Sequence, residues 1–272
     1  MKGTILHKMT GSGNDFVIVD GRTTDAAHWP MERVRAVCDR RCGVGADGLV
    51  LLTPEAPDAV RMIYWNSDGS RAAMCGNAAL CSAHLSVYLE MVPVGELRLL
   101  TDAGLVRARS GSAGSTAEIN LPDFDMAPAA PGLACAPGER WMAFATVGVP
   151  HLVVRVDDIE KLDVEGRGRL LRFHPALGPG GANVNFISPS SGGPWLIRTY
   201  ERGVEGETLA CGTGTVAAAV GLAERGEASL PIRFRTRGGP ELAVRACLVG
   251  ERATDVWLGG QGKLVFRAVW EG

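Results

Sequence analysis

Two cysteines in this chain share a local sequence that suits acid–base chemistry. Cys75 and Cys211 are each followed by glycine, and each directly precedes a stretch with helical patterning. The free backbone N–H groups and the dipole at the start of a helix favour a thiolate over a thiol. We therefore expect the pKa of both thiols to be lowered from the usual value of about 8.5 towards neutrality.

The same two helix starts are predicted to hold a carboxylate. Their N–H groups form an anion site, and Gly76 and Gly212 let a ligand approach the backbone closely. If both helix starts bound one amino acid carboxylate across a cleft between two domains, its α-carbon would be flanked by the two sulfurs.

That arrangement suits the inversion of an amino acid α-carbon. A thiolate on one face could remove the α-proton while a thiol on the other face returns one. The backbone donors would stabilise the negative charge that develops on the carboxylate. Since the sequence has no obvious pyridoxal lysine motif, we expect this chemistry to need no cofactor.

An internal repeat indicates that the two helix starts occupy equivalent positions in two similar halves of the chain. Residues 74–78 (MCGNA) resemble residues 210–214 (ACGTG) at an offset of 136 residues, and residues 46–51 resemble residues 182–187 at the same offset. A third match, between the strand-like segments DFVIVD and HLVVRVD, has an offset of 137 residues. Three matches near half the chain length predict two halves of like fold.

The elements that would position these residues are mostly strands, because apolar alternation and glycine are frequent. Helices are predicted at residues 30–41, 76–90 and 212–225, the last followed by Gly226 as a C-terminal cap. The Pro- and Ala-rich residues 124–139 are predicted to be a linker. The main strands are predicted at residues 13–20, 48–53, 59–65, 96–109, 116–121, 142–147, 151–157, 183–188, 195–201, 231–236, 241–248 and 254–269.

Composition narrows the class of partner and the location. The net charge of −2 gives no electrostatic reason to expect nucleic acid or an acidic membrane as a partner. No run approaches the roughly 18 apolar residues of a membrane span, and the first residues lack a signal-peptide core. We expect a cytoplasmic protein that binds a small-molecule amino acid substrate, with a homodimer as the candidate assembly.

The remaining cysteines are predicted to be inert. The odd count of seven, the wide spacing and the lack of an export signal argue against a disulfide framework. Cys38-x3-Cys42 and Cys75-x5-Cys81 have no His-x3–5-His partner, so we expect no metal site. Residues 43–48 fit a G-x-G-x-x-G dinucleotide fingerprint, but they follow a helix-like stretch and precede a strand, which is the reverse of the required context.

Eight segments are spread over nearly the whole chain: residues 9–16 (MTGSGNDF), 42–48 (CGVGADG), 66–69 (NSDG), 74–77 (MCGN), 148–151 (GVPH), 181–186 (GANVNF), 200–203 (YERG) and 206–214 (GETLACGTG). Together they resemble the diaminopimelate epimerases, a family of pyridoxal-independent amino acid racemases. The paired CGN and ACGTG signatures make this resemblance specific.

The resemblance implies an α+β fold of two similar domains, each a curled, mostly antiparallel sheet around a central helix, with the active site in the cleft between them. Residues 1–122, joined by the C-terminal strand 262–272, would form the domain carrying Cys75. Residues 123–261 would form the domain carrying Cys211. The implied reaction interconverts LL- and meso-2,6-diaminopimelate in lysine and peptidoglycan precursor synthesis.

Roles for individual residues also follow from the resemblance. Cys75 and Cys211 match the catalytic pair. The residues that match the α-carboxylate cradle are Gly76, Asn77, Gly212 and Thr213. The residues that match the surrounding polar shell are Asn14, Asn66, His151, Asn183, Glu201 and Arg202. Arg202 with Asn66 and Asn183 would hold the distal amino-carboxylate, a pairing that suits guanidinium and amide chemistry.

Several departures from the family pattern leave other functions open. Ala78-Ala79-Leu80 stands where Gly-Ala-Arg is usual, Val149 where Asn is common, and Gly48 where some members have Gln. Glu205 is an additional residue that shorter versions lack. The alternatives are a racemase of another amino acid such as histidine, and a non-catalytic amino acid binding protein. An isomerase that uses a carboxylate base is disfavoured because both cysteines are retained.

Overall fold

The computed structural model describes residues 3–111, 115–128 and 132–271. These ranges contain eighteen strands and four α-helices. In chain order they are β1 (Thr4–Gly11), β2 (Asn14–Asp20), α1 (Met31–Cys38), β3 (Gly48–Ala56), β4 (Ala59–Asn66), β5 (Arg71–Ala72), α2 (Gly76–Tyr88), β6 (Gly95–Thr101), β7 (Gly104–Ser110), β8 (Thr116–Leu121), β9 (Phe124–Pro128), β10 (Glu139–Val147), β11 (Val149–Val156), α3 (Val164–Arg172), β12 (Asn183–Ser188), β13 (Trp195–Glu201), β14 (Gly206–Thr208), α4 (Gly212–Glu224), β15 (Ile232–Arg235), β16 (Glu241–Val249), β17 (Arg252–Gln261) and β18 (Lys263–Trp270).

The chain forms two compact units. One comprises Met1–Asn120 with Gly259–Gly272, and the other comprises Leu121–Leu258. In the first unit, β18, β1 and β2 pair antiparallel, β2 pairs parallel with β3, and β3 pairs antiparallel with β4. β4 then pairs parallel with β6, which pairs antiparallel with β7. Helix α2 packs against β1 to β4, β6 and β7.

The second unit repeats this order of pairings. β9, β10 and β11 pair antiparallel, β11 pairs parallel with β12, and β12 pairs antiparallel with β13. β13 then pairs parallel with β15, which pairs antiparallel with β16. Helices α2 and α4 both have 13 residues and begin 136 positions apart. The predicted α+β fold of two similar halves is confirmed.

The two long helices are buried because their side chains are small and mostly apolar. In α2, the residues Ala78, Ala79, Leu80 and Cys81 have no exposed surface. In α4, every residue from Gly214 to Leu222 is buried. A helix that is apolar on all sides must be covered on all sides. Strands from several directions therefore pack around each one.

The structure differs from the sequence predictions at several elements. The predicted strand 96–109 is a hairpin, with β6 and β7 joined by a tight turn. The predicted strand 254–269 is broken at Gly262, where a Cβ would lie 2.8 Å from the Leu80 carbonyl oxygen.

Two further differences concern helix α3 and the predicted linker. Helix α3 was not expected, because two glycines weaken its helical pattern. Its first residue follows Asp163, whose carboxylate caps the Gly166 N–H. The linker prediction is wrong for residues 124–128, which form β9 and pair with β10, while residues 129–131 lie outside the described ranges.

None of the helices in the described ranges has the length and apolar character needed to cross a membrane.

A glycine in α3 allows this helix to pack closely on β13. A Cβ at Gly168 would lie 2.5 Å from the Cβ of Tyr200, whose side chain is almost fully buried. Gly221 in α4 provides a matched comparison, because a Cβ there would be no closer than 3.4 Å to the Met126 methyl group and the Trp141 ring.

We expect Gly168→Ala to lower the free energy of unfolding by roughly 1–3 kcal/mol, because the added methyl overpacks the contact with Tyr200. Gly221→Ala should leave stability unchanged or raise it by up to about 1 kcal/mol, since alanine favours the helix. Urea unfolding of both variants measures the difference. Equal effects in the two helices would contradict the packing argument.

Candidate active site

Cys75 occupies the cap position at the start of α2. Its backbone is extended, with φ −137° and ψ 125°, and its side chain forms no capping hydrogen bond. The first bond within the helix joins the Ala79 N–H to the Cys75 carbonyl at 2.9 Å. The N–H groups of residues 76–78 therefore have no acceptor within the helix. A Cβ at Gly76 would meet only the Ile119 side chain, at 3.6 Å, so this glycine leaves the backbone approachable.

Two of the predicted site residues in the first unit are hydrogen-bonded to each other. The Asn77 amide donates to Asn14 Oδ1 at 2.7 Å, and the Asn14 amide donates to Asp47 Oδ2 at 2.8 Å. Asp47 also accepts the backbone N–H of Asp15. This chain of bonds fixes the side chain that follows Gly76 in the first turn of α2.

An ion-pair cluster holds Asp47 in turn. Arg40 bonds both Asp47, at 2.8 Å, and Asp15, at 2.5 Å, and Lys8 bonds Asp15 at 2.6 Å. Burial alone would raise the pKa of Asp15, but hydrogen bonds from Arg40 and Lys8 lower it to about 2. Asp47 lies inside the CGVGADG segment but was not predicted as a site residue, because its partners are distant in the chain.

Asn66 and Tyr64 end the strand β4. The Asn66 amide donates to Ser70 Oγ at 3.0 Å within its own turn, and not to Asn14 or Asn77. Tyr64 was not predicted as a site residue. A Cβ at Gly48 would lie 2.5 Å from the Tyr64 ring, so the tyrosine covers that glycine. Burial and then the nearby Cys75 raise the pKa of Tyr64 above its usual range.

Cys211 occupies the equivalent position at the start of α4. Its backbone is extended, with φ −132° and ψ 108°. The Thr213 hydroxyl lies 3.8 Å from the sulfur, and the Thr215 N–H makes the first bond within the helix, to the Cys211 carbonyl. A Cβ at Gly212 would lie 2.7 Å from Leu258, so this glycine is needed for packing as well as for access to the backbone.

The expected lowering of the thiol pKa is wrong for Cys211. Burial, and then the negative charge of Glu201, raise the pKa of Cys211 to about 11. The N–H groups of Thr213 and Gly214 and the Thr213 hydroxyl act in the opposite direction without outweighing burial. Cys211 is therefore a neutral thiol at physiological pH.

His151 is a buried, neutral imidazole beside the other predicted residues of the second unit. The Asn185 amide donates to His151 Nδ1 at 3.2 Å, so the ring proton resides on Nε2. That atom is buried and has no hydrogen-bond partner among the described residues. Burial, and then the charge of Arg202, lower the pKa of His151 to about 3.

Asn185 is a site residue that was not predicted from the sequence. It also donates to the Leu152 carbonyl and accepts from the Thr199 hydroxyl at 3.0 Å. A Cβ at Gly214 would lie 2.0 Å from Asn185 Oδ1, so the amide packs directly on the first turn of α4. The available signal was the second asparagine of the GANVNF segment.

Asn183, Glu201 and Arg202 lie together at the ends of β12 and β13. Asn183 is paired with His151 in the parallel β11–β12 ladder, and its Oδ1 accepts the Arg202 backbone N–H at 2.7 Å. Burial raises the pKa of Glu201, and the nearby Thr208 hydroxyl offsets part of this effect. The Arg202 guanidinium forms no ion pair with any part of the chain that the structure describes.

The other five cysteines differ from this pair in position. Cys38 and Cys81 are buried, and burial raises the pKa of both thiols, to about 11 for Cys38. Cys42, Cys135 and Cys247 are exposed. Over the described ranges, no group of three or more His, Cys, Asp or Glu side chains could hold a metal ion.

Each unit therefore presents a cysteine at the start of a buried helix with polar residues beside it. The first unit offers backbone donors and a fixed Asn77. The second adds a neutral thiol, a buried N–H donor on His151 and the positive charge of Arg202. The backbone donors and the guanidinium can bind a carboxylate, and the thiols can exchange protons with the molecule that carries it.

Comparison with known proteins identifies relatives over both units. A diaminopimelate epimerase family model matches residues 6–121 and 143–252. The diaminopimelate epimerase of Gemmatimonas aurantiaca is 46% identical over 96% of this chain and 96% of its own length. That of Aquifex aeolicus is 38% identical over 95% of each.

A solved structure with a similar fold comes from outside this group. A PhzF-family phenazine biosynthesis protein from Bacillus anthracis covers 99% of both chains with a TM-score of 0.74 and 12% identity. At that identity the similarity extends to the fold alone. The family match, in contrast, includes both cysteine-bearing helix starts, and by this match and these identities the chain belongs to the diaminopimelate epimerase family.

Proposed function

We propose that this protein interconverts LL- and meso-2,6-diaminopimelate with Cys75 and Cys211 as the acid–base pair. The observation that carries the proposal is the equivalent placement of the two cysteines. Each occupies the N-cap position of a buried helix, and the two positions lie 136 residues apart in a chain of this family. The reaction would serve lysine and peptidoglycan precursor synthesis.

In the proposed reaction the two thiols act on opposite faces of the α-carbon. The Cys75 thiolate takes the α-proton, and the Cys211 thiol gives its proton to the other face. The raised pKa of Cys211 supports this assignment, because it keeps that thiol protonated at neutral pH. For the opposite stereoisomer the roles exchange, and proton exchange with solvent resets the pair.

The helix starts would bind the reacting carboxylate. In the proposal, the backbone N–H groups of Gly76, Asn77, Gly212 and Thr213 would stabilise the negative charge that develops during proton removal, and a single such donor can contribute roughly 10²–10³ in rate. Arg202, with Asn66 and Asn183, would bind the distal amino-carboxylate. Arg202 forms no ion pair with any described side chain, and this available positive charge supports that role.

The same proposal covers cofactor, partners and location. The thiol pair supplies both proton transfers, so the reaction is expected to proceed without pyridoxal phosphate. The small polar groups at each helix start suit a small-molecule amino acid and not a nucleic acid or a membrane. A cytoplasmic location and a homodimer stay predictions from the sequence.

Replacing either thiol should strongly slow turnover. We expect Cys75→Ser and Cys211→Ser each to slow racemisation by roughly 10²–10⁴, the usual contribution of a positioned acid or base. The measurement is the conversion of LL- to meso-diaminopimelate in D₂O, together with deuterium uptake at the α-carbon, followed by NMR in the absence of pyridoxal phosphate. Exposed Cys247→Ser is the matched control and should keep full activity.

The same assay separates the competing functions. Uptake into histidine or another amino acid, with none into diaminopimelate, would replace the proposed substrate. Binding without uptake into any amino acid would favour the binding-protein reading. An unchanged rate of inversion in either cysteine variant would remove that cysteine from the mechanism.

Oxidation should link the two proposed catalytic thiols. If both sulfurs reach one carbon atom, diamide should take two electrons and two protons from the pair and form a Cys75–Cys211 disulfide. Activity should be lost and then recovered with dithiothreitol. Peptide mapping by mass spectrometry identifies the linkage, and full activity in oxidant would count against the pairing.

The neutral state of Cys211 is testable by alkylation. At pH 8, a thiol with a pKa of about 11 is ionised in roughly one molecule per thousand. Iodoacetamide should therefore label Cys211 more slowly than exposed Cys247, and the gap should narrow as the pH rises towards 11. Mass spectrometry of a Cys75→Ser variant measures both rates. A gap that is the same at every pH would mean that access, and not ionisation, limits labelling.

A further inference from the structure

The turn that carries Arg202 is tied to the end of helix α3 by an ion pair. Arg172 is the last residue of α3 and is 8% exposed. Its Nη2 donates to Glu205 Oε1 at 3.0 Å. Glu205 lies in the connection between β13 and β14, three residues beyond Arg202. A guanidinium this deeply buried is costly unless it is paired.

Glu205 holds the turn in an uncommon conformation. Its φ is +57°, in the left-handed region where a non-glycine residue is strained. Two bonds secure it there: the Glu205 N–H donates to the Glu201 carbonyl at 2.8 Å, and the Glu205 carboxylate accepts the Gly203 N–H at 3.0 Å. Both neighbours of Arg202, Glu201 and Gly203, are thus fixed through Glu205.

Arg172 also holds the second segment that contacts Arg202. Its Nη1 donates to the Gly180 carbonyl at 3.0 Å. A Cβ at Gly180 would lie 3.9 Å from Arg202 Nη1, so the Arg202 guanidinium lies beside this glycine. The same segment leads to Asn183, which accepts the Arg202 backbone N–H. One guanidinium therefore joins the two segments on either side of Arg202.

We propose that Arg172 and Glu205 are positioning residues that set the direction of the Arg202 side chain. Through Arg202 they determine the affinity of the protein for the distal amino-carboxylate of the substrate. This inference rests on the proposed function. Neither residue touches the reacting carbon in the proposal, so their loss should weaken binding more than it slows proton transfer. A misplacement of about 1 Å at a binding group is sufficient for a large effect.

The test compares KM with kcat in variants of the pair. Glu205→Gln removes the charge and keeps the shape of the side chain. Glu205→Gly removes the side chain and also relieves the strain of the left-handed backbone, so this variant should fold even if Glu205→Gln does not. Each should raise KM for LL-diaminopimelate roughly 10- to 100-fold, with kcat changed by less than about threefold. Arg172→Met should have a similar effect on KM, and the double variant Arg172→Met with Glu205→Gln should be no worse than either single change.

A second buried ion pair in the same unit supplies the control. Arg167 bonds Glu139, whose side chain is 2% exposed, at 2.7 Å, and the other hydrogen-bond acceptor of the Arg167 side chain is the Ala134 carbonyl. Arg167→Met should lower the thermal unfolding temperature and leave KM unchanged. An equal rise in KM in this control, or additive effects in the double variant, would reduce Arg172 and Glu205 to a general stabilising role and overturn the inference.

The remaining outcomes distinguish this inference from the proposed function. A folded Glu205→Gly variant with unchanged KM, alongside an active parent protein, would overturn the positioning role and leave the epimerase proposal intact. A parent protein that neither exchanges the α-proton of diaminopimelate nor binds it by calorimetry would overturn the proposed function, and this inference with it.

Discussion

Each half of the protein is built around a helix that is buried over most of its length, and this burial governs what its first residue can do. The side chains of α2 and α4 are small enough for strands to pack against every face. The open N–H groups of such a helix can meet a ligand only at its first turn. A serine, threonine, aspartate or asparagine at the cap would occupy one of these donors, whereas cysteine does not cap with its side chain here. Losing a cap costs about 1 kcal/mol.

The chemistry of Cys211 shows which electrostatic effect dominates at such a position. Helix donors and a nearby hydroxyl favour the thiolate, but burial and the adjacent Glu201 favour the thiol more strongly. Negative charge on the Cys211 sulfur is therefore disfavoured at this position. In the proposed reaction the protonated Cys211 thiol is therefore the proton donor.

The two halves hold their polar residues by different means. In the first unit a cluster of charges, Lys8, Asp15, Arg40 and Asp47, leads to Asn14 and Asn77. In the second unit a neutral network holds His151, Asn185 and Thr199 without exposure to water. Charged residues appear there only towards the strand ends, where Arg172 and Glu205 pair around Arg202. The two similar backbones therefore surround their cysteines with different side chains.

Much of this protein could be predicted from its sequence because the relevant signals are local. The repeat, the two helices and their caps depend on residues close together in the chain, and the helix starts at Cys75 and Cys211 needed no tertiary information. Tertiary contacts decided the rest. The sequence pattern of residues 96–109 predicts one strand, but these residues form a hairpin. Helix α3 forms despite its two glycines because one of them packs on Tyr200. The partners of Asn77, His151 and Arg172 are 8 to 63 positions away along the chain, and the pKa of Cys211 depends on burial. No local pattern contains that information, because burial and long-range partners exist only once the chain has folded.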